Sequence, residues 1–157
     1  GGCSSSTRGV FGGGSPSPGS NTMDFITISS TGNATDFGDL TQGRTGVSGL
    51  SSRTRGVFSG GLSGNDPYTH HDRIDYITIA TLGNATTFGD LIEGAYYTSS
   101  CSSSTRGVIG GAFLTPTYKN TIQYVTIAST GNAKDFGDLT STRGVASAVS
   151  NGHGGLG

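Results

Sequence analysis

The stretch Asp72-Arg73-Ile74-Asp75-Tyr76-Ile77-Thr78-Ile79-Ala80, followed after Thr81 by Leu82-Gly83-Asn84 and then Ala85-Thr86-Thr87-Phe88-Gly89-Asp90-Leu91, decides the fold. The first segment is rich in Ile, Thr and Tyr, side chains that suit a pleated surface. Gly and Asn tolerate positive φ, so Gly83-Asn84 marks a hairpin turn into a second strand, Ala85–Leu91. Upstream, Arg44–Ser51 and Thr54–Gly61 read as two further short strands joined by a tight turn. No segment carries an amphipathic 3.6-residue period with caps, so the expected class is all-β.

This four-strand pattern recurs. Thr-Arg-Gly-Val stands at Thr7–Val10, Thr54–Val57 and Thr105–Val108, with the arginines 47 and 51 residues apart. Gly-Asn-Ala-x-x-Phe-Gly-Asp-Leu runs Gly32–Leu40, Gly83–Leu91 and Gly131–Leu139. A period near 50 residues belongs to repeat architectures in which each unit buries its face on the next. The chain is thus expected to hold about three four-stranded units of roughly 50 residues. Their boundaries are expected near 1–43, 44–92 and 93–142, with 143–157 starting a further unit or supplying a closing strand. Glycine, 29 of 157 residues, lets backbones crowd together. The large groups Phe25, Tyr76, Tyr124, Phe37, Phe88 and Phe136 would then pack unit against unit.

Composition excludes several classes. A net charge of −1 with 12% charged residues is not the footprint of a nucleic-acid binder. No apolar run approaches a membrane span, so membrane insertion is not expected. No signal peptide is visible. Cys3 and Cys101 share one slot of the repeat with Leu50, which reads as a small buried apolar site rather than a disulfide.

The repeat resembles the Kelch blade, which places an Arg before its innermost strand, a Gly-Gly pair ending the second and a Trp in the fourth. Here Arg44 and Arg143 hold the first position, with Ala95 and then Tyr96-Tyr97 in the middle copy. The glycine pairs are Gly12-Gly13, Gly60-Gly61 and Gly110-Gly111, and Phe37, Phe88 and Phe136 replace the Trp. The resemblance implies a Kelch-like β-propeller, as part of a larger ring or as a six-bladed dimer, because three blades are too few for a ring. The wording Thr-Arg-Gly-Val-Phe, Ile-Asp-Tyr-Ile-Thr-Ile and Asp-Phe-Gly-Asp-Leu also resembles repeats in virion structural proteins of marine bacteriophages of the cyanophage type. That resemblance implies a non-enzymatic structural or recognition part of a tail, fibre or capsid decoration, in a virion or extracellular setting. Its partners would be other virion proteins, copies of itself or a host-surface glycan. The alternative is a secreted, lectin-like propeller.

Candidate binding residues lie in the segments that differ between copies: 14–20, 62–73 and 112–119. Loops varied on a constant scaffold are where binding sits. Tyr68, His70, His71, Asp72, Tyr118 and Lys119 are the reactive or adhesive groups there. Asp66, His70, His71 and Asp72 have metal-ligand chemistry, but adjacent histidines on an extended segment point apart, so no metal or other cofactor is expected. With His70, His71 and His153 as its only histidines, the chain offers no nucleophile–base–orienter set, so no catalytic residue is assigned. The recurring Asp39, Asp90 and Asp138 read as architecture, their carboxylates accepting bonds from the next turn or pairing with Arg8, Arg55 or Arg106. Asn33-Ala34-Thr35 and Asn84-Ala85-Thr86 match the N-glycosylation pattern at hairpin tips.

Overall fold

The computed structural model describes residues 1–64 and 67–150. Asp66, His153 and the segment 152–157 therefore lie outside the described residues. The chain is all-β, as expected, and every strand pairing is antiparallel.

The first sheet is β1 (Gly2–Ser4), β2 (Arg8–Gly12), β3 (Thr22–Thr27) and β4 (Thr35–Asp39), paired in that order. The second is β5 (Ser48–Ser51), β6 (Arg55–Ser59), β9 (Arg73–Thr78) and β10 (Thr86–Asp90). It is interrupted by a small hairpin of β7 (Leu62–Ser63) and β8 (Thr69–His70). The third is β11 (Ser99–Ser102), β12 (Arg106–Leu114), β13 (Thr117–Thr126) and β14 (Lys134–Asp138). Each four-stranded sheet is a meander, because turns of a few residues can join only antiparallel neighbours. One register shift recurs between the last two strands of each sheet, beside Phe37, Phe88 and Phe136. It accommodates Gly38 and Gly89, whose missing Cβ atoms would collide with the backbone of Gly83 and Gly131 in the following sheet.

A chain with 31% hydrophobic residues builds its core by using strands on both faces. Along β9, Ile77 and the following Ile79 face the first sheet, in a cluster with Val10, Met23, Phe37 and Phe58. The alternate residue Ile74 faces the third sheet, in a cluster with Val57, Phe88, Ile109 and Val125. Alternation thus gives the middle sheet two buried faces. The first strands of the three sheets, β1, β5 and β11, lie side by side. Ser51 Oγ donates to Ser4 O at 2.8 Å, and Ser102 Oγ to Ser51 O at 2.8 Å.

Three sequence readings need correction. The first strand of the second sheet begins at Ser48 rather than Arg44, because the fully buried Arg44 turns inward instead. Its guanidinium donates to Gly60 O (2.6 Å) and Arg73 O (2.8 Å) and meets Asp75 at 2.6 Å. The glycine pair of the second copy is offset by one, since Gly12 and Gly110 align with Ser59 across β3, β13 and β9. Finally, the carboxylates of Asp39, Asp90 and Asp138 pair with no arginine among the described residues. The backbone N–H groups of Asp39 and Asp90 instead donate to the Asn84 and Asn132 side chains at 3.0 and 3.1 Å. Arg8, Arg55 and Arg106 lie over the rings of Phe25, Tyr76 and Tyr124 at 4.4 to 4.7 Å.

Cys3 and Cys101 are free thiols in the slot that Leu50 fills in the second sheet. Burial pushes the Cys3 thiol up to about 12.

Candidate functional site

The variable segments form one continuous surface. Gly64 N donates to Pro18 O at 3.1 Å, tying the first loop to the β7–β8 hairpin. His70 Nε2 lies 3.3 Å from Thr115 Oγ1, tying that hairpin to the tip joining β12 and β13. These two strands run on past their glycines to Leu114 and Thr117, so the third loop is an extended hairpin.

A run of aromatic rings crosses this surface. Tyr97 packs on Tyr96 with ring centroids 4.6 Å apart, and Tyr96 meets Phe113 edge to face at 5.4 Å. Phe113 then packs on Tyr118 at 4.7 Å. The His70 imidazole also stacks on Tyr96, at 5.3 Å and tilted by 11°. Tyr96 is the buried hub, at 9% exposure, whereas Tyr97, Tyr118 and the nearby Tyr68 keep 44%, 51% and 55% of their surface open. Tyr68, Tyr96 and Tyr97 line a shallow groove of about 270 Å³ with Ser15, Ser17 and Pro18 of the first loop. That is slightly below the roughly 300–1,000 Å³ of pockets that enclose drug-sized ligands.

Local sequence explains the hub. Tyr96-Tyr97 occupies the link that Thr45-Gly46 fills one unit earlier, and both links make the same bridge to the neighbouring hairpin, Thr45 to Leu62 and Tyr96 to Phe113. Gly46 sits at φ +67°, and Tyr97 at φ +53° in the same left-handed conformation. A bulky side chain is rare there and costs on the order of 1–3 kcal/mol. Val145 shares the conformation at φ +55°, so the backbone requirement is general and the aromatic ring is particular to this link.

The six candidate residues divide. Tyr68, His70 and Tyr118 belong to the aromatic surface. His71 faces away, with Nε2 2.7 Å from Ser63 Oγ. Burial, with Arg44 and Arg73 nearby, pulls its imidazole below the ordinary value. Asp72 contributes its backbone carbonyl, which accepts from Leu91 N at 2.6 Å. Lys119 Nζ lies 3.2 Å from Glu93 Oε2. Among the described residues, no three His, Cys, Asp or Glu side chains are grouped to hold a metal ion.

Tyr96, Tyr97 and Phe113 were missing from the residues marked by sequence. The available signal was a Tyr-Tyr pair at a link position that holds Thr-Gly or Gly-Val elsewhere. Notches beneath the hairpins at Gly83 and Gly131 recur in successive sheets, which marks them as architecture.

No family model matches the chain, and no curated protein matches it.

Proposed function

We propose that the three sheets are consecutive blades of a Kelch-like propeller and that the chain is a non-enzymatic recognition module whose loop surface binds a glycan. The meander order, the adjacent innermost strands and the variable loops gathered on one surface all support the propeller reading. The observation that carries the binding reading is the run Tyr97–Tyr96–Phe113–Tyr118, open at both ends. Aromatic faces accept the C–H face of a sugar ring, while phenol hydroxyls and the Ser15 and Ser17 hydroxyls meet sugar hydroxyls. The low charge of the chain suits a neutral or weakly charged saccharide. The repeat wording that resembles phage virion proteins favours a host-surface glycan, with the protein displayed on a virion.

A glycan array followed by calorimetry tests this. Expected is a saccharide hit whose affinity falls at least about tenfold in Tyr97→Ala and in Tyr118→Ala, one lost anchor of roughly 1.4 kcal/mol each. Absence of any saccharide binding, or binding indifferent to both substitutions, would overturn the reading.

A further inference from the structure

The two internal junctions are one junction built twice. Phe37 (2% exposed) is covered by the second sheet and Phe88 (3%) by the third. Arg8 reaches across the first junction to Ile79 O at 2.7 Å, and Arg55 across the second to Ile127 O at 2.8 Å. Gly83 N and Gly131 N donate to Phe37 O and Phe88 O, each at 2.8 Å.

The surfaces at either end are the two unused halves of that same junction. On the third sheet, Phe136 is 52% exposed. Arg106 is also exposed, and its guanidinium donates no hydrogen bond among the described residues. On the first sheet, Phe11 and Ile28 are 54% and 52% exposed, whereas their counterparts Phe58, Ile109, Ile79 and Ile127 are at 0–1%.

Charge marks the halves as complementary. Arg44 of one link meets Asp75 of the next sheet, and where the link carries Ala95, the matching position holds Gln123. Of the remaining pair, Arg143 has no acidic partner among the described residues, its guanidinium resting on Ser141 Oγ at 2.9 Å, while Asp24 stands exposed on the first sheet. Arginine thus again finds aspartate, at opposite ends of the molecule.

Two glycines carry an independent trace. Gly56 and Gly107 lie against Cys3 and Leu50 of the preceding sheet, but among the described residues the equivalent Gly9 meets only its own Ile26. Gly38 and Gly89 lie against the following hairpin, but among the described residues nothing comes within 4 Å of the Cβ position at Gly137.

We infer that a second copy of this chain covers both surfaces head to tail, the third sheet of each copy packing on the first sheet of the other. Arg106 then donates to the partner copy's Ile28 carbonyl, Arg143 pairs with Asp24, and the turn 32–34 covers Phe136. Contacts of this heterologous kind form a ring when the rotation closes, and two copies give six units, within the four to eight of known propellers. The inference rests on the ring reading above and not on the glycan reading.

Light scattering on the full 157-residue chain tests it. Expected is one species at twice 15.8 kDa. Arg143→Asp is expected to fall to 15.8 kDa with its circular dichroism unchanged, and Arg143→Asp with Asp24→Arg to return to the pair. In the paired species Cys101 is protected from a maleimide, and in the single-chain variant it reacts. A wild-type chain that is monomeric at tens of micromolar with a reactive Cys101 overturns the inference, as do masses that climb with concentration beyond a pair. A monomer that still binds a saccharide through Tyr97 would overturn this inference and leave the loop-surface reading standing.

Discussion

The first junction is locked by a buried ion pair and the second is not, although both use the same sheet positions. In the first, Arg44 and Asp75 are both fully buried and meet at 2.6 Å. In the second, Ala95 replaces the arginine, and Gln123 accepts from Ile92 N at 2.9 Å. Since a neutral arrangement does the same packing, the ion pair is not what makes the junction possible. Removing two charges from water costs several kcal/mol each, and their attraction roughly repays it. We expect the pair to act instead in discrimination, a face carrying arginine fitting one that carries aspartate better than one that carries glutamine.

The sharpest way to break this comparison is Arg44→Ala. It leaves Asp75 buried with only the Thr41 hydroxyl, at 2.7 Å, as a side-chain donor. We expect a loss of about 3–5 kcal/mol in urea denaturation. Adding Asp75→Gln rebuilds the second junction's chemistry in the first and should restore most of that loss. A double variant as unstable as the single would mean that the two junctions are not interchangeable.

A smaller effect comes from the arginines laid over aromatic rings. Arg55→Ala removes a charged hydrogen bond to Ile127 O and a cation–π contact with Tyr76, and should cost about 2 kcal/mol. Arg106→Ala is the informative counterpart, because among the described residues of one chain the Arg106 guanidinium keeps only its contact with Tyr124. In an isolated chain it should cost less than about 1 kcal/mol. In the head-to-tail pair its cost should approach that of Arg55→Ala and depend on protein concentration. Thermal denaturation at two concentrations separates the cases.

These contrasts also show what could be read in advance. The strands were legible because Ile74, Tyr76, Thr78 and Ile79 fit a pleated surface and Gly83-Asn84 fits a turn, and both signals are local. The shared slot of Cys3, Leu50 and Cys101 was legible from the repeat alone. Arg44 was assigned to a strand because its partner Asp75 lies 31 residues away. The exchange of Arg–Asp for Ala–Gln appears only once the sheets are in register. The aromatic surface was half visible: Tyr68, His70 and Tyr118 stood in variable loops. Tyr96 and Tyr97 stood in a link whose geometry no local pattern reveals, and Phe113 lay on a hairpin extension that read as loop.

The link itself offers the next contrast. Replacing Tyr97 with the glycine that Gly46 represents one unit earlier relieves the left-handed strain but removes the packing on Tyr96. The two effects are each on the order of 1 kcal/mol and opposed, so stability should change by less than about 1 kcal/mol in either direction. Saccharide binding should nevertheless fall at least tenfold. Stability and binding lost together would make Tyr97 a structural residue.

The smallest expected effect is a pH dependence at the edge of the aromatic surface. His71 is held below its ordinary pKa by burial and by Arg44 and Arg73, with Asp72 opposing and His70 adding to the shift. The unfolded chain therefore takes up a proton at His71 before the folded chain does. Stability from this group is complete above the ordinary histidine value of about 6.5 and is lost progressively as pH falls below it, through the lowered folded pKa. Denaturation midpoints at pH 7.5 and 5.5 should differ in that direction, and His71→Gln should flatten the difference while keeping a hydrogen bond to Ser63. A His71→Gln variant that keeps the full pH difference would mean that the burial of this side chain is other than described.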